Sequence, residues 1–382
     1  MKIIYAKKFR FPNESANAIQ ALNMLEAFSA CADQVCSFFS FDSSLAGAPE
    51  SFLRTAYGRE PGKLGAYTVA PPASRGLRYS LWLARHVISA KRTSLIYARE
   101  VSEARRALWF RHLHLPALPL FYEAHKFNLG NQDSPLCLED KRKEINRFLS
   151  RVNGVIFIDK TLQEHAMEQF KFHAPSYVAS AGVDVAMFSR RAAELPSSEV
   201  LVGYFGKMVE EKGVMLLAET LRFLPERYRI RFIGSVSENN KSILLRVAGA
   251  GASRVEFTGR VQHTELVKAM AGVHISVVPQ ILNDQFFSPL KLLESMAMGL
   301  PLVCTPIPHL KHALQDGKHA LFAEDMSPEA LAKAIKTLGD SPALMESMQR
   351  ENRAYAEQFS WEKRAQGIVE FMRDVISKKM VR

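Results

Sequence analysis

The chain has few cysteines and no long apolar run. Four cysteines in 382 residues, at 31, 36, 137 and 304, include no C-x-x-C pair. That spacing is neither a zinc-binding pattern nor a disulfide scaffold, and it reads as free or buried thiols of a reducing compartment. No stretch approaches the roughly 18 consecutive apolar residues of a membrane span, and the few apolar residues before Lys7, Lys8 and Arg10 make too short a core for a signal peptide. D-x-D, H-E-x-x-H, G-x-x-x-x-G-K-[ST] and G-x-G-x-x-G are all absent. His112 and His114 stand without further metal-ligating company. A bridging divalent ion and a Walker-type nucleotide loop are therefore not indicated.

What is present is apolar bulk and positive charge. Hydrophobic residues make up 47% of the chain, enough for sizeable cores, and the length suits two domains. The formal charge of +11 calls for an anionic partner. It is unevenly held: residues 1–190 carry +8 of it and residues 191–382 the remaining +3.

Short β-rich runs alternate with longer amphipathic ones, the pattern of parallel sheets covered by helices. The strand candidates are Lys2–Ala6, Val35–Phe39, Ser94–Tyr97, Ala117–Tyr122, Gly154–Ile158 and Ser176–Ala179, then Val200–Tyr204, Ile230–Ile233, Arg254–Phe257, His274–Val278, Pro301–Cys304 and Ala320–Phe322. The polar, proline-containing stretch SRRAAELPSS (189–198) divides them into two series. This predicts an N-terminal domain over 1–188, a linker over 189–198, a C-terminal domain over 199–358 and a terminal helix over 359–382. That helix starts after the FSW triplet, with Ser360 as its cap and Trp361 as a packing anchor.

Two segments carry candidate chemistry. In LVGYFGKMVEEKG (201–213) a strand runs into Gly206 and Lys207, then an acidic turn, then Lys212 and Gly213 opening a helix at Val214. Gly206 permits close backbone approach to a ligand, the helix start offers unpaired N–H groups, and the lysines supply two charges for a diphosphate. In DQFFSPLKLLESMAMGLP (284–301) Ser288-Pro289 opens a helix on which Lys291 and Glu294 share a face, and Gly299 and Pro301 stop it. Such a carboxylate suits a ribose diol. Taken alone, each segment reads equally as solvated lysines at a turn or as a surface ion pair.

Together the two segments resemble the nucleotide-sugar glycosyltransferases of the GT-B fold, most closely the retaining family 4 type. VEFTGRV (255–261), HTELVKAMAGVHISVVPQ (263–280), DGKHALFAED (316–325) and the FSW triplet match that family's C-terminal half. AGVDVAMF (181–188), Lys2–Ala6 and FYEAHK (121–126) match its N-terminal half in patches. The resemblance implies two Rossmann-like parallel-sheet domains facing across a cleft, with the C-terminal helix crossing back to the N-terminal domain. It implies transfer of a sugar from a nucleoside-diphosphate sugar to an acceptor hydroxyl with retention, in bacterial glycan, polysaccharide or glycolipid assembly, with no cofactor and no metal.

Carried onto this chain, the family pattern gives Lys207 and Lys212 the diphosphate and leaving group, and Glu294 the ribose. The backbone of Arg260 and Val261 lies beside the base. Gly206, Ser288, Pro289, Leu290 and Lys291 complete the donor contacts, and His125 sits at the reaction centre. Two departures bear on the donor. Phe286 stands where the family often has a carboxylate on the transferred sugar, with Asp284 and Gln285 as its substitutes. In PNESANAIQA, the small residues Ser15 and Ala16 stand where the family often has a glycine pair.

The N-terminal half also holds a basic run without acidic residues between Glu60 and Glu100. Within it, Arg75–Arg92 places Leu77, Leu81, Trp82, Val87 and Ile88 among arginines, which fits a basic amphipathic helix against an anionic membrane surface. The expected location is cytoplasmic, peripheral to the inner face of the membrane. The competing readings are a nucleotide-sugar epimerase or hydrolase of the same fold, and a catalytically silent or nucleic-acid-binding protein. No nucleic-acid-binding motif supports the last.

Overall fold

The computed structural model describes residues 1–13, 16–42, 49–70, 75–114, 117–125, 127, 135–189, 198–281 and 290–380. Among them the chain forms two compact units. One comprises Met1–Ala181 with Trp361–Arg382, the other Gly182–Ser360.

The first unit contains strands β1 (Lys2–Phe11), β2 (Gln34–Phe41), β3 (Ala66–Ala70), β4 (Ser94–Ala98), β5 (Leu120–Ala124), β6 (Gly154–Phe157) and β7 (Ser176–Val178). They form one parallel sheet in the order β3-β2-β1-β4-β5-β6-β7. The second contains β8 (Val200–Phe205), β9 (Tyr228–Ile233), β10 (Val255–Gly259), β11 (Ile275–Val278), β12 (Leu302–Cys304) and β13 (Leu321–Phe322). They too are parallel, in the order β10-β9-β8-β11-β12-β13. Strands buried on both faces must be apolar throughout, which is why IIYA (3–6), SLIYA (94–98) and LFYEA (120–124) scarcely alternate. In each sheet the order reverses beside the first strand, at β1/β4 and at β8/β11. Ligands of such sheets bind outside the strands' carboxyl ends at that reversal.

Every strand candidate from the sequence is found, and β3 is an additional one, paired with β2 at the sheet edge. Residues 182–188 fall differently from the expected division. Val183 bridges to Ser360, and the short helix Val185–Phe188 packs on helix Leu290–Ala297, so they belong to the second unit. Most of the expected linker, 190–197, lies outside the described residues.

The terminal helix Trp361–Met380 belongs to the first unit. Trp361, Ala365, Ile368, Val369, Met372 and Val375 form its buried stripe, against helix Ala16–Cys31. The larger of these side chains contribute about 2 kcal/mol each by burial. Phe371 stacks on Tyr177 at 5.5 Å and meets Phe121 edge-on at 6.0 Å. Cys31, Cys36 and Cys304 are free thiols, and no helix of the described residues is long and apolar enough to cross a membrane.

Candidate active site

The donor candidates gather at the β8/β11 reversal. Gly206 follows β8 with φ +148°, and its N–H donates to the Ile233 carbonyl at 2.9 Å. Gly234 follows β9 so close to the Gly206 carbonyl that any Cβ there would overlap it. Two strand ends thus abut backbone to backbone. Lys207 is exposed, and its carbonyl accepts a hydrogen bond from the Tyr204 hydroxyl at 3.0 Å. The buried Met208, its N–H on the Ser235 carbonyl at 3.0 Å, pins the loop. A single 3-10 turn, Glu210–Lys212, then leads to Gly213 at φ +68°. Lys212 Nζ donates to Gln280 Oε1 at 3.4 Å, just past β11, and the Gln280 carbonyl accepts from Thr305 Oγ1 at 2.6 Å. The helix that follows, Val214–Glu219, has six residues. Its dipole is correspondingly short, and more of any charge stabilisation falls to the lysines.

The second cluster centres on Glu294, on helix Leu290–Ala297. Leu290, Leu292, Leu293, Met296 and Ala297 bury most of this helix. Gly299 closes it at φ +73°, with N–H bonds from Gly299 to the Met296 carbonyl (2.8 Å) and from Leu300 to the Ser295 carbonyl (2.9 Å). This is a Schellman closure, the stop that Gly299 and Pro301 predicted. Glu294 itself is 1% exposed. Its Oε2 accepts from Lys291 Nζ at 2.7 Å, while Oε1 lies 3.6 Å from His263 Nε2 and has no hydrogen-bond partner among the described residues. Burial alone would raise the carboxyl's pKa. Lys291 and then His263 outweigh burial and hold it below the ordinary glutamate value. An ionised, buried carboxylate with an unfilled acceptor oxygen fits a hydroxylic ligand, because leaving such an atom unmatched is costly. Arg260 and Val261 follow β10, two residues before His263.

His125 directly follows β5 in the first unit. Its Nε2 lies 2.5 Å from Glu123 Oε1, and its side chain is 29% exposed. Glu123 is fully buried and is met by Arg99 Nε (2.9 Å), Arg364 Nη2 (2.9 Å) and the Tyr97 hydroxyl. Burial opposes ionisation of Glu123, but Arg364 and Arg99 keep its carboxyl well below the usual range. Burial, then Arg99, lowers the His125 pKa, against the opposing pull of Glu123.

The structure therefore brings Lys212 to Gln280, and Lys291 and Glu294 to His263. Ala16 opens helix Ala16–Cys31. Ser15, Asp284, Gln285, Phe286, Ser288 and Pro289 lie outside the described residues. Gly234, His263, Gln280, Arg99, Glu123 and Arg364 were not singled out in the sequence. Glu123 alone carried a signal, two residues before His125 and hence on the same side of an extended strand.

Residues 199–341 match the family model described as Glycosyl transferases group 1. The chain carries a glycosyltransferase group 1 domain. This domain holds every described residue of both donor-side clusters. Among curated proteins, the chain is similar to a D-inositol 3-phosphate glycosyltransferase of Corynebacterium urealyticum, 26% identical over 340 residues, covering 82% of this chain and 77% of that one. A putative colanic acid biosynthesis glycosyltransferase, WcaL of Escherichia coli, is 24% identical over 41% of this chain and 40% of its own length. Against several further glycosyltransferase relatives the chain spans about half of their length. Among solved structures, Anabaena Alr3699/HepE in complex with UDP superposes with a TM-score of 0.70 at 17% identity, covering 98% of this chain and all of that one. The fold shared with that structure is GT-B, with one Rossmann-like parallel sheet in each unit of this chain.

Proposed function

We propose that the chain transfers a sugar from a nucleoside-diphosphate sugar to an acceptor hydroxyl with retention of configuration, as a family 4-type enzyme of bacterial glycan, polysaccharide or glycolipid assembly. The observation that carries this reading is Glu294, an ionised buried carboxylate with an unfilled oxygen inside the group 1 domain. Glu294 takes the ribose hydroxyls, and the backbone of Arg260 and Val261 flanks the base. The bond from the sugar's anomeric carbon to the diphosphate breaks as the acceptor oxygen adds on the same face, and the hydroxyl proton passes to a departing phosphate oxygen. Lys212 and Lys207 offset the charge that develops on that leaving group, so the reaction proceeds without a divalent ion. His125 stands beside the transferred sugar.

A thermal-shift screen over UDP, GDP, ADP and dTDP and their sugars identifies the donor, since a ligand that binds only the folded chain raises its Tm. With that donor, Lys212→Ala is expected to slow transfer at least about 100-fold, about 2.7 kcal/mol of transition-state stabilisation, with circular dichroism unchanged. EDTA is expected to leave the wild-type rate unaltered. Near-normal turnover of the variant removes Lys212 from the site.

The acceptor side is read from charge and exposure. Helix Arg75–Ile88 is amphipathic, four residues shorter than the basic run, and its apolar residues divide differently from the expected single face. Trp82 and Val87 are buried with Tyr79 and Leu83, whereas Leu77, Leu81 and Ile88 point outward beside Arg78 and Arg85. With Trp109 on the neighbouring helix Val101–Phe110, these are the most exposed large apolar side chains among the described residues, at 60–74%. Arg106 Nη1 ties the two helices together through Ser80 Oγ at 2.9 Å. An apolar face rimmed by arginine suits the inner membrane surface and a lipid-linked or phosphorylated acceptor. Co-sedimentation with phosphatidylglycerol-containing liposomes is expected, weakened by salt and abolished by Leu77→Glu with Leu81→Glu. Equal binding to neutral liposomes, or none to anionic ones, refutes this placement.

A further inference from the structure

The first unit buries more ionic structure than its fold requires. Glu123 lies at the carboxyl end of β5, and three charged or titratable groups converge on it from separate parts of the chain: Arg99 after β4, His125 after β5, and Arg364 from the terminal helix. Arg364 is itself fully engaged, with Nε on the Ser180 carbonyl at 2.7 Å, Nη2 also near the Ala179 carbonyl at 3.3 Å, and Nη1 against Met24 Sδ at 2.8 Å. Arg99 reaches Gln20 Oε1 at 3.2 Å. Neither guanidinium can swing away without breaking several bonds. Two buried arginines and a buried carboxylate are an expensive way to hold a sheet to a helix, because apolar residues of similar volume do so as well or better. The cluster sits at the strand ends where this fold binds ligands.

Its chemistry bears on one atom, His125 Nε2. That nitrogen lies 2.5 Å from Glu123 Oε1 and 2.8 Å from Arg99 Nη2. A neutral imidazole nitrogen either donates or accepts, and cannot do both. The shorter contact is to a carboxylate that two arginines keep ionised, so the proton belongs on Nε2 and is donated to Oε1. Arg99 Nε lies 2.9 Å from the same oxygen and directs its N–H at Nε2 from 3.1 Å, a longer contact than the carboxylate's. The lone pair is then on Nδ1, which has no partner among the described residues.

We propose that Glu123, clamped between Arg99 and Arg364, is the positioning residue that fixes His125 as the Nε2–H tautomer and so presents Nδ1 as a hydrogen-bond acceptor for a sugar hydroxyl. Its role in turnover rests on the transferase reading above; the tautomer does not. The terminal helix thereby reaches the reaction centre, through a side chain 241 residues from the glutamate it holds.

The test uses the full chain labelled with ¹⁵N-histidine. Long-range ¹H–¹⁵N imidazole spectra at neutral pH report each tautomer, and His125 is assigned by the signal lost in His125→Asn. The wild type is expected to be Nε2–H. Glu123→Gln removes the charge but keeps the shape, leaving the Arg99 N–H groups, already 2.8 and 3.1 Å away, as the stronger partners of Nε2. It is expected to move His125 toward Nδ1–H and to lower kcat by about 10- to 100-fold, with donor KM unchanged. Arg364→Lys, which keeps a cation on Glu123, is expected to retain the wild-type tautomer and most of kcat. An Nδ1–H imidazole in the wild type overturns the proposal, and so does a Glu123→Gln chain with unaltered tautomer or kcat. Should Glu123→Gln fail to fold, the wild-type spectrum and Arg364→Lys still decide. A wild type that transfers no sugar with any donor defeats the transferase reading alone, since the spectra are read without substrate.

Discussion

Glu294→Ala is expected to lower kcat/KM for sugar transfer by at least about 100-fold, or about 2.7 kcal/mol, while the chain stays folded. The ribose contacts lie away from the bond that breaks, so the loss falls on donor binding and titrates as a parallel rise in the Kd for the free nucleoside diphosphate. The fold survives because the partners left behind can be accommodated. The Lys291 side chain is 40% exposed and turns to water, and His263 keeps its edge-on packing with Phe188 at 6.0 Å. Glu294→Gln, which keeps an acceptor oxygen but not the charge, is expected to lie between alanine and wild type. The pH dependence has a definite sign. The carboxyl is held below the ordinary glutamate value near 4.3, so it stays ionised as pH falls toward that value, and its contribution is lost only below it. Donor affinity is therefore expected to stay level from about pH 8 down to about pH 5, as far as Glu294 governs it. Near-normal turnover of Glu294→Ala removes this residue from the donor site.

The two candidate donor segments could be picked out in the sequence because the residues of each are local. Gly206, Lys207, Lys212 and Gly213 occupy one strand–turn–helix, and Lys291, Glu294 and Gly299 one helix and its stop, so spacing alone places them together. The residues that meet Glu294 and Lys212 come from elsewhere: His263 from the segment after β10, Gln280 from just past β11. No periodicity marks such residues, since each is set by which strand lies next to which. The Arg364–Glu123 pair is the extreme case, because Arg364 reads locally as a basic residue near a helix start. Strand β3 was missed for a different reason. AYTVA is a five-residue edge strand with Val69 40% exposed, and it lacks the buried apolar run that marked the central strands. Helix Arg75–Ile88 shows that an apolar count is not a face. Leu77, Leu81 and Ile88 fall within about 40° of one another around the helix, while Trp82 and Val87 flank Tyr79 and Leu83 on the buried side.

Gly213→Ala is expected to be among the most disruptive single-methyl changes in the second unit. Gly213 holds φ +68°, a region that costs an L-residue about 1–2 kcal/mol. Added to this, a Cβ at 213 would fall well inside 3.0 Å of the Pro279 carbonyl oxygen. The obstacle is backbone at the end of β11, not a side chain that can rotate away. The loop after β8 must therefore retreat from β11, and the two segments that part carry Lys212 and Gln280. With overpacking adding about 1–3 kcal/mol, the combined cost is about 2–5 kcal/mol, which in a unit of this size lowers Tm by about 10 °C. Gly317→Ala is the matched control. Its φ of +72° imposes the same backbone penalty, but a Cβ there meets nothing within 4 Å. The control is expected to lose only the backbone share, about 1–2 kcal/mol, and to bind the nucleoside diphosphate normally. Equal losses in the two variants would show that φ alone sets the cost. A larger loss at 213, coupled to weakened nucleotide binding, shows that the close approach of β8's loop to β11 is what assembles the phosphate end of the site.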